Sequence, residues 1–240
     1  AEVYGKRVLD LLDEARGALG RKYGIQVQSP VLVEIFPEQK DFAIRTFGMP
    51  GGEGYLGVCF GSVITANSPA SQTGSPSNWQ AMLWHEFCHV VTLQLTHNKM
   101  PRWLSEGISV YEERQKNPAW GQVLTPKYRE MILGGELKKV GELSSAFMNP
   151  KKPIDLQFAY FQSALVVQFL VEKYGFASLT NVLADLATDI SINAALAKRT
   201  EAMPEIEKHF LEFAQNKAHD YGRDFDWHKP KLDASGNADP

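Results

Sequence analysis

The first 24 residues carry apolar side chains at the spacing of one helical face. Intervals of three and four residues place these side chains on one side of a helix, with charged residues between them. The positions concerned are Val8, Leu11, Leu12, Ala15 and Leu19. Residues 1–24 are therefore predicted to form an N-terminal amphipathic helix rather than the continuous apolar core of a signal peptide.

Two β-rich stretches follow this helix. Residues 30–36 read PVLVEIF, and residues 55–66 read YLGVCFGSVITA. β-branched and aromatic residues favour strands, and the Gly-rich segment GMPGGEG before the second stretch favours a turn. The pattern predicts one strand in the first stretch and one or two in the second, a small sheet confined to the first third of the chain.

The rest of the chain is predicted to be helical. Ser77, with Gln80 three residues later, matches a capping box, and the apolar positions beyond it predict a helix that continues to about Leu95. Further helix boundaries are expected at Pro101, at Thr125-Pro126, at Gly175 and at Met203-Pro204. The fold class is therefore α+β, with helices dominating.

This pattern divides the chain after the N-terminal helix into three parts. Residues 25–115 are expected to hold the sheet and two helices, and residues 116–228 a helical lobe. Residues 229–240 are polar and contain Pro and Gly, so a flexible tail is expected there.

Composition and charge exclude several functional classes. A net charge of -3 over 240 residues, with scattered basic residues, gives no basic stripe for nucleic acid. The longest apolar run, ALVVQFLVEKYG, is shorter than the roughly 18 residues that a bilayer requires, so no membrane span is predicted. The cysteines Cys59 and Cys88 cannot form a disulfide framework. The sequence begins without an initiator Met, so a fragment or a processed form is expected, which leaves room for a further domain upstream. The cellular compartment stays open.

Residues 84–89, WHEFCH, contain the pattern His-Glu-x-x-His. On a helix, His85 and His89 lie one turn apart on the same face, so both imidazoles can bind one metal ion. Glu86 is rotated by about 100° from His85 and can take a proton from a water on the ion. The alternative is a core helix whose two histidines are satisfied by hydrogen bonds. Cys88 faces another side of the helix and is expected to be a small core residue.

A catalytic zinc ion usually takes a third protein ligand. Glu106 is the preferred candidate, because a short reversal through THNKMPR would pack its helix antiparallel to the motif helix, and Gly107 would permit a close helix approach. Glu112 and Glu113 are the lesser candidates, since the mixed charge of YEER predicts a solvated helix face. His97 is expected to be a loop residue.

Four blocks resemble the gluzincin metallopeptidases, in particular the bacterial peptidase-MA-like domains related to thermolysin and the one-zinc aminopeptidases. The blocks are WHEFCH, PRWLSEGISVYEE, FAYFQSALVVQFLVEKYG and PEIEKHFLEF. With PVLVEIFPEQKDFAIRTFG and GVCFGSVITANSP upstream, the resemblance covers most of residues 20–215. It implies a zincin-like fold, one Zn²⁺ per chain held by His85, His89 and Glu106, and a peptide or protein substrate.

The resemblance also implies roles for residues outside the metal motif. Tyr160 would donate a hydrogen bond to the oxyanion, although Phe158 and Phe161 beside it leave open that it is one more core aromatic. Gly57, Val58 and Cys59 would form the strand edge that pairs with the substrate main chain, or else an ordinary core strand.

The chain departs from the aminopeptidases at this strand. Their Gly-x-Met-Glu-Asn motif, whose Glu binds a free amino terminus, is replaced by GVCFG, so an endopeptidase is expected. The competing hypothesis is a non-catalytic zinc-containing recognition module that keeps the peptidase fold. Hydrolysis of a non-peptide amide uses the same water chemistry and stays open as well.

Overall fold

The computed structural model describes residues 5–28, 30–52, 54–68, 78–148 and 150–227. Within them, a three-stranded sheet near the N-terminus is followed by a helical body, which confirms the predicted α+β class. The strands are β1 (Leu32–Phe36), β2 (Gly57–Phe60) and β3 (Val63–Asn67). The helices are α1 (Gly5–Tyr23), α2 (Gln39–Phe47), α3 (Trp79–Leu95), α4 (Arg102–Lys116), α5 (Pro126–Leu133), a 3₁₀ helix (Val140–Phe147), α6 (Pro153–Tyr174), α7 (Phe176–Ala187), α8 (Ile192–Arg199) and α9 (Met203–Asp220).

The N-terminal helix buries the predicted apolar face. All five predicted positions on α1 are less than 10% exposed, and the helix packs against α3. Lys22 and Tyr23, at its C-terminal end, both contact the buried carboxylate of Glu112 on α4. The helix is thus attached to the body by an apolar stripe and by one buried polar cluster.

The sheet has the strand order β1-β3-β2. β1 pairs parallel with β3, whereas β2 and β3 form an antiparallel hairpin that turns at Gly61 and Ser62. β2 therefore lies at an edge of the sheet, and it packs against α3. The helix α2 between β1 and β2 is absent from the sequence prediction.

The motif helix α3 begins at Trp79, and its N-cap is Asn78, whose side chain accepts a hydrogen bond from the Ala81 amide at 3.1 Å. The predicted cap residue Ser77 lies outside the described residues. At the other end, His97 and Asn98 adopt left-handed backbone angles, with φ of 51° and 61°, and the chain reverses into α4. The predicted reversal before α4 is confirmed, and α4 packs against α3.

Helix α4 lies between α3 and α6. A Cβ atom on Gly107 would lie 2.6 Å from the main-chain oxygen of Ser163, so glycine is required where α4 crosses α6. Gly107 does permit a close approach, but the neighbour is α6 and not the motif helix. This crossing brings side chains from three helices to one place.

Helix α6 is long and largely apolar. Among the described residues it is the one helix long and apolar enough to cross a bilayer, and 61% of its apolar window is buried within the fold. No membrane span was predicted from the sequence because only the uninterrupted apolar run was considered, and that run is shorter than this window. A buried core helix passes the same test of length and composition, so this finding is weak evidence for a membrane span.

Candidate metal centre

The structure brings the three predicted ligand residues together. His85 and His89 lie one turn apart on α3, with ring centroids 4.7 Å apart. Their Nε2 atoms lie 3.1 and 3.3 Å from the same carboxylate oxygen, Oε2 of Glu106. The three donor atoms all lie within 4.8 Å of one another, close enough to share one ion.

The other ring nitrogen of each histidine is also engaged. The Nδ1 atom of His85 lies 2.6 Å from a carboxylate oxygen of Glu113. The Nδ1 atom of His89 lies 2.8 Å from the hydroxyl of Ser105 and 3.2 Å from that of Ser109. Metal-binding histidines typically donate their second N–H to such acceptors, which leaves the Nε2 lone pair for the ion. The residues present therefore fit a divalent metal.

The prediction that Glu112 and Glu113 lie on a solvated helix face is wrong. Their exposed fractions are 2% and 7%. Glu113 turns toward His85, whereas Glu112 accepts hydrogen bonds from Tyr23 at 2.8 Å and from Lys22 at 2.7 Å. The mixed charge of this helix suggested exposure to solvent. The residues that pair with the two carboxylates lie on other helices, so the local sequence does not show them.

The hydrogen bonds within the trio shift the pKa values of its side chains. Burial by itself would lower the pKa of His85, but its hydrogen bonds to Glu106 and Glu113 outweigh burial and raise that pKa well above the ordinary value. Burial would raise the pKa of Glu106, yet its hydrogen bonds to the two histidines hold it well below its usual range.

Glu86 lies beside the trio without joining it. It is 7% exposed, and burial raises its pKa, while the nearby His85 and His89 act in the opposite direction. Strand β2 lies directly against it: a Cβ atom on Gly57 would be 3.0 Å from Cγ of Glu86 and 2.6 Å from Sδ of Met82. Glycine at position 57 is therefore what lets the edge strand approach the motif helix.

Tyr160 on α6 reaches the same place from the opposite side. Its hydroxyl lies 3.3 Å from Oε1 of Glu106, and the guanidinium of Arg102 donates to it at 3.4 Å. Burial and the neighbouring Glu106 carboxylate raise the pKa of Tyr160, so the phenol keeps its proton at neutral pH. Unlike Phe158 and Phe161, which are buried, Tyr160 is only partly buried and lines the space beside the trio.

Two cavities share part of their lining beside the trio, and we call them together the cleft. One, of about 420 Å³, extends toward Trp120 and Gln122; the other, of about 370 Å³, extends toward Val58, Cys59 and Arg102. Both are lined by Tyr55, Gly57, His85, Glu86 and Tyr160. A larger cavity of about 570 Å³ lies elsewhere, between α5, the 3₁₀ helix and α6, and none of these five residues lines it.

The edge strand presents main-chain groups to the cleft. The carbonyl of Leu56 accepts a hydrogen bond from the Asn67 amide at 2.8 Å, and antiparallel pairs alternate along a hairpin. The N–H and C=O groups of Gly57 and Cys59 therefore point away from β3, toward the free edge. All three predicted strand residues, Gly57, Val58 and Cys59, line the cleft.

Sequence reasoning did not predict the roles of four residues of this centre, and all four lie on α4. Their positions, together with Glu106, follow the i, i+4, i+7, i+11 spacing of one helical stripe, with Ser105 beside it. That spacing was a usable signal. Arg102, Ser105 and Ser109 were not considered, and Glu113 was considered only as a lesser ligand candidate on a solvated helix face.

Comparison with known proteins gives one match. A family model described as the peptidase MA superfamily matches residues 14–201, a span that includes the trio, Glu86 and Tyr160. Searches of curated proteins and of solved structures found no match to the chain.

Proposed function

Because the chain belongs to the peptidase MA superfamily, we propose that it is a zinc-dependent endopeptidase that hydrolyses peptide bonds with an activated water. The proposal depends chiefly on the convergence of Nε2 of His85, Nε2 of His89 and a carboxylate oxygen of Glu106. Two imidazoles and one carboxylate are a ligand set typical of catalytic zinc. These three residues would hold one ion per chain, and when bound, zinc lowers the pKa of water and polarises the scissile carbonyl.

Glu86 is the proposed general base. It follows His85 on the same helix, lines both halves of the cleft and is not one of the three ligands. It takes a proton from the attacking water as the water oxygen bonds to the carbonyl carbon. It then delivers a proton to the leaving nitrogen as the C–N bond breaks.

Tyr160 is the proposed donor to the carbonyl oxygen as negative charge develops there. Its protonated phenol lies next to Glu106, and therefore beside the proposed position of the ion. A hydrogen bond that strengthens as charge develops lowers the barrier more than it improves substrate binding. The position of Tyr160 on the wall of the cleft favours this role over that of a core aromatic.

Gly57, Val58 and Cys59 are proposed to bind the substrate main chain. The outward N–H and C=O groups of Gly57 and Cys59 can extend the sheet by one strand supplied by the peptide. The cleft continues on both sides of Glu86, which supports passage of a chain through the site and hence endopeptidase action.

The test is zinc content together with hydrolysis of an unbiased peptide library. We expect the wild-type protein to bind one zinc ion and to cleave peptides, and a chelator to abolish cleavage. Glu86→Gln should keep the zinc and lose activity by about 10²- to 10⁴-fold, the usual contribution of a general base. Tyr160→Phe should lose about 10²- to 10³-fold in kcat.

Glu172→Gln is a suitable control, because it makes the same substitution on the exposed face of α6. Its activity should equal that of the wild type. A Glu86→Gln variant as active as the wild type would reject the mechanism. Stoichiometric zinc without cleavage of any peptide would favour the non-catalytic recognition module instead.

A further inference from the structure

The proposed chemistry leaves the guanidinium of Arg102 without a role. Its Nε donates to Oε1 of Glu106 at 3.3 Å, and one terminal nitrogen donates to the hydroxyl of Tyr160 at 3.4 Å. A guanidinium has five N–H groups, so three remain after these two bonds. The side chain is 46% exposed and lines the half of the cleft that contains Val58 and Cys59.

Arg102 is also held in place by an aromatic ring. Its guanidinium carbon lies 5.2 Å from the centroid of Phe147, which in turn contacts the ring of Tyr160 at 5.3 Å. An arginine fixed by stacking and by two hydrogen bonds loses little conformational entropy when it binds a further group. The remaining N–H groups therefore form a preorganised donor surface at the wall of the cleft.

The charged side chains that line the cleft are mostly carboxylates, and Arg102 differs from them in sign. Glu86 and Glu113 line one half, and Glu86 and Glu106 line the other. Among the described residues that line the two halves, Arg102 is the one arginine or lysine. A negatively charged substrate group would be repelled by the carboxylates elsewhere in the cleft, and it finds an oppositely charged partner at Arg102.

The present partner of Arg102 is also the proposed metal ligand. Glu106 is the one carboxylate within salt-bridge distance of Arg102 among the described residues. Once Glu106 shares its charge with a metal ion, the guanidinium keeps the capacity to pair with another carboxylate, and arginine binds carboxylates in a two-pronged geometry.

We propose that Arg102 is a specificity-determining residue that binds a carboxylate of the peptide substrate in the half of the cleft lined by Val58 and Cys59. This inference rests on the proposed function. The carboxylate has two chemical sources: the side chain of an Asp or Glu near the scissile bond, or the C-terminus of the peptide. Both present the same two oxygens to the guanidinium, so the experiment must separate them.

The test is a matched peptide panel cleaved by the zinc-loaded full chain. Asp or Asn is placed in turn at each position around the scissile bond, and each peptide is made with a free and with an amidated C-terminus. We expect kcat/KM to favour one carboxylate position by about 10- to 100-fold, the range for a hydrogen-bonded ion pair. A preference that follows Asp identifies an acidic side chain, and one that requires the free C-terminus identifies the terminal carboxylate.

The variant Arg102→Gln should lose this preference, and Arg102→Lys should keep part of it. Arg45→Gln is the matched control, because Arg45 also pairs with a carboxylate, that of Glu34, and is 51% exposed, but it does not line the cleft. It should keep the full preference. If Arg102→Gln slows cleavage of acidic, neutral, free and amidated peptides by one common factor, the residue only supports Tyr160 and Glu106, and the proposal is wrong.

A binding measurement separates this inference from the proposed function. Fluorescently labelled peptides from the panel are titrated onto Glu86→Gln and onto the double variant Glu86→Gln/Arg102→Gln. A preference for binding carboxylate peptides that disappears in the double variant supports the inference, whether or not the wild type cleaves peptides. If the wild type cleaves nothing, the proposed function is wrong but the inference stands. Cleavage with no carboxylate preference, in rates or in binding, keeps the proposed function and overturns the inference.

Discussion

The Nδ1 atom of His85 lies 2.6 Å from a carboxylate oxygen of Glu113, a residue 28 positions later on the neighbouring helix. Both side chains are largely buried, and the contact ties α3 to α4 at the candidate metal centre. The bond directs Nε2 of His85 toward Glu106 and His89. An outer carboxylate of this kind raises the basicity of the imidazole, so Glu113 should contribute to metal affinity without touching the ion.

We expect Glu113→Gln to lower zinc affinity by about 10- to 100-fold, as is typical when the outer partner of a ligand histidine is changed. Competition with a calibrated chelator measures this loss. Glu112→Gln is the control, because Glu112 is equally buried on the same helix but pairs with Tyr23 and Lys22 of α1. It should lower the free energy of unfolding and leave zinc affinity unchanged. Equal loss of zinc affinity in both variants would contradict the assigned role of Glu113.

Ser105 and Ser109 should act as alternative partners of His89. Their hydroxyl oxygens lie 2.8 and 3.2 Å from the same Nδ1 atom, so either one can accept its proton. We expect each single Ala variant to lower zinc affinity by only about two- to fivefold, and the double variant by more than the product, since only then does the buried N–H lose every acceptor. The same chelator competition tests this. Multiplicative losses would show that the hydroxyls act independently.

The convergence of His85, His89 and Glu106 could be predicted because their relationship is local in the sequence. The spacing of His85 and His89 on one helix is a property of the sequence alone, and Glu106 follows from a short reversal between two helices. The roles of Glu113 and Arg102 depend on how α4 packs against α3 and α6. Their spacing places both side chains on the same helical stripe as Glu106, but the sequence does not say which neighbouring helices that stripe faces.

The fold shows the same difference between features that the local sequence predicts and features that depend on helix packing. The N-terminal helix and the later helices have long apolar periods and clear boundary residues, and they lie where predicted. The short helix α2 was missed because only Phe42 and Ala43 of its nine residues are buried, too few to give a period. The sequence predicted that Gly107 permits a close helix approach, but it did not say which helix crosses α4 there.

Gly57→Ala should reduce activity while sparing the metal. The added methyl would lie 2.6 Å from Sδ of Met82 and 3.0 Å from Cγ of Glu86, so the strand, Met82 or Glu86 must shift. Displacement of about 1 Å at a catalytic group can cost about 10²-fold in rate. We expect zinc content to stay at the wild-type level and kcat to fall. Adding Met82→Ala removes the nearer obstruction and should restore part of kcat; no recovery would place the obstruction at Glu86 alone.

The crossing of α4 and α6 should be sensitive to one methyl group at Gly107. A Cβ atom there would lie 2.6 and 2.7 Å from the main-chain oxygen and carbon of Ser163, which cannot move aside as a flexible side chain can. We expect Gly107→Ala to lower the free energy of unfolding by about 1–3 kcal/mol, the usual cost of overpacking. Because the crossing also places Tyr160 beside Glu106, kcat should fall as well.

Ser163→Ala provides the contrasting change at the same crossing. The hydroxyl of Ser163 is fully buried and has no hydrogen-bond partner among the described residues, so its removal should raise the free energy of unfolding by about 1 kcal/mol. The main chain that obstructs position 107 stays in place, so Ser163→Ala should not rescue Gly107→Ala, and the two effects should add. Chemical denaturation of the four proteins in the cycle measures this. Stability of the double variant above the sum of the two single effects would show that the hydroxyl, and not the backbone, sets the distance between α4 and α6.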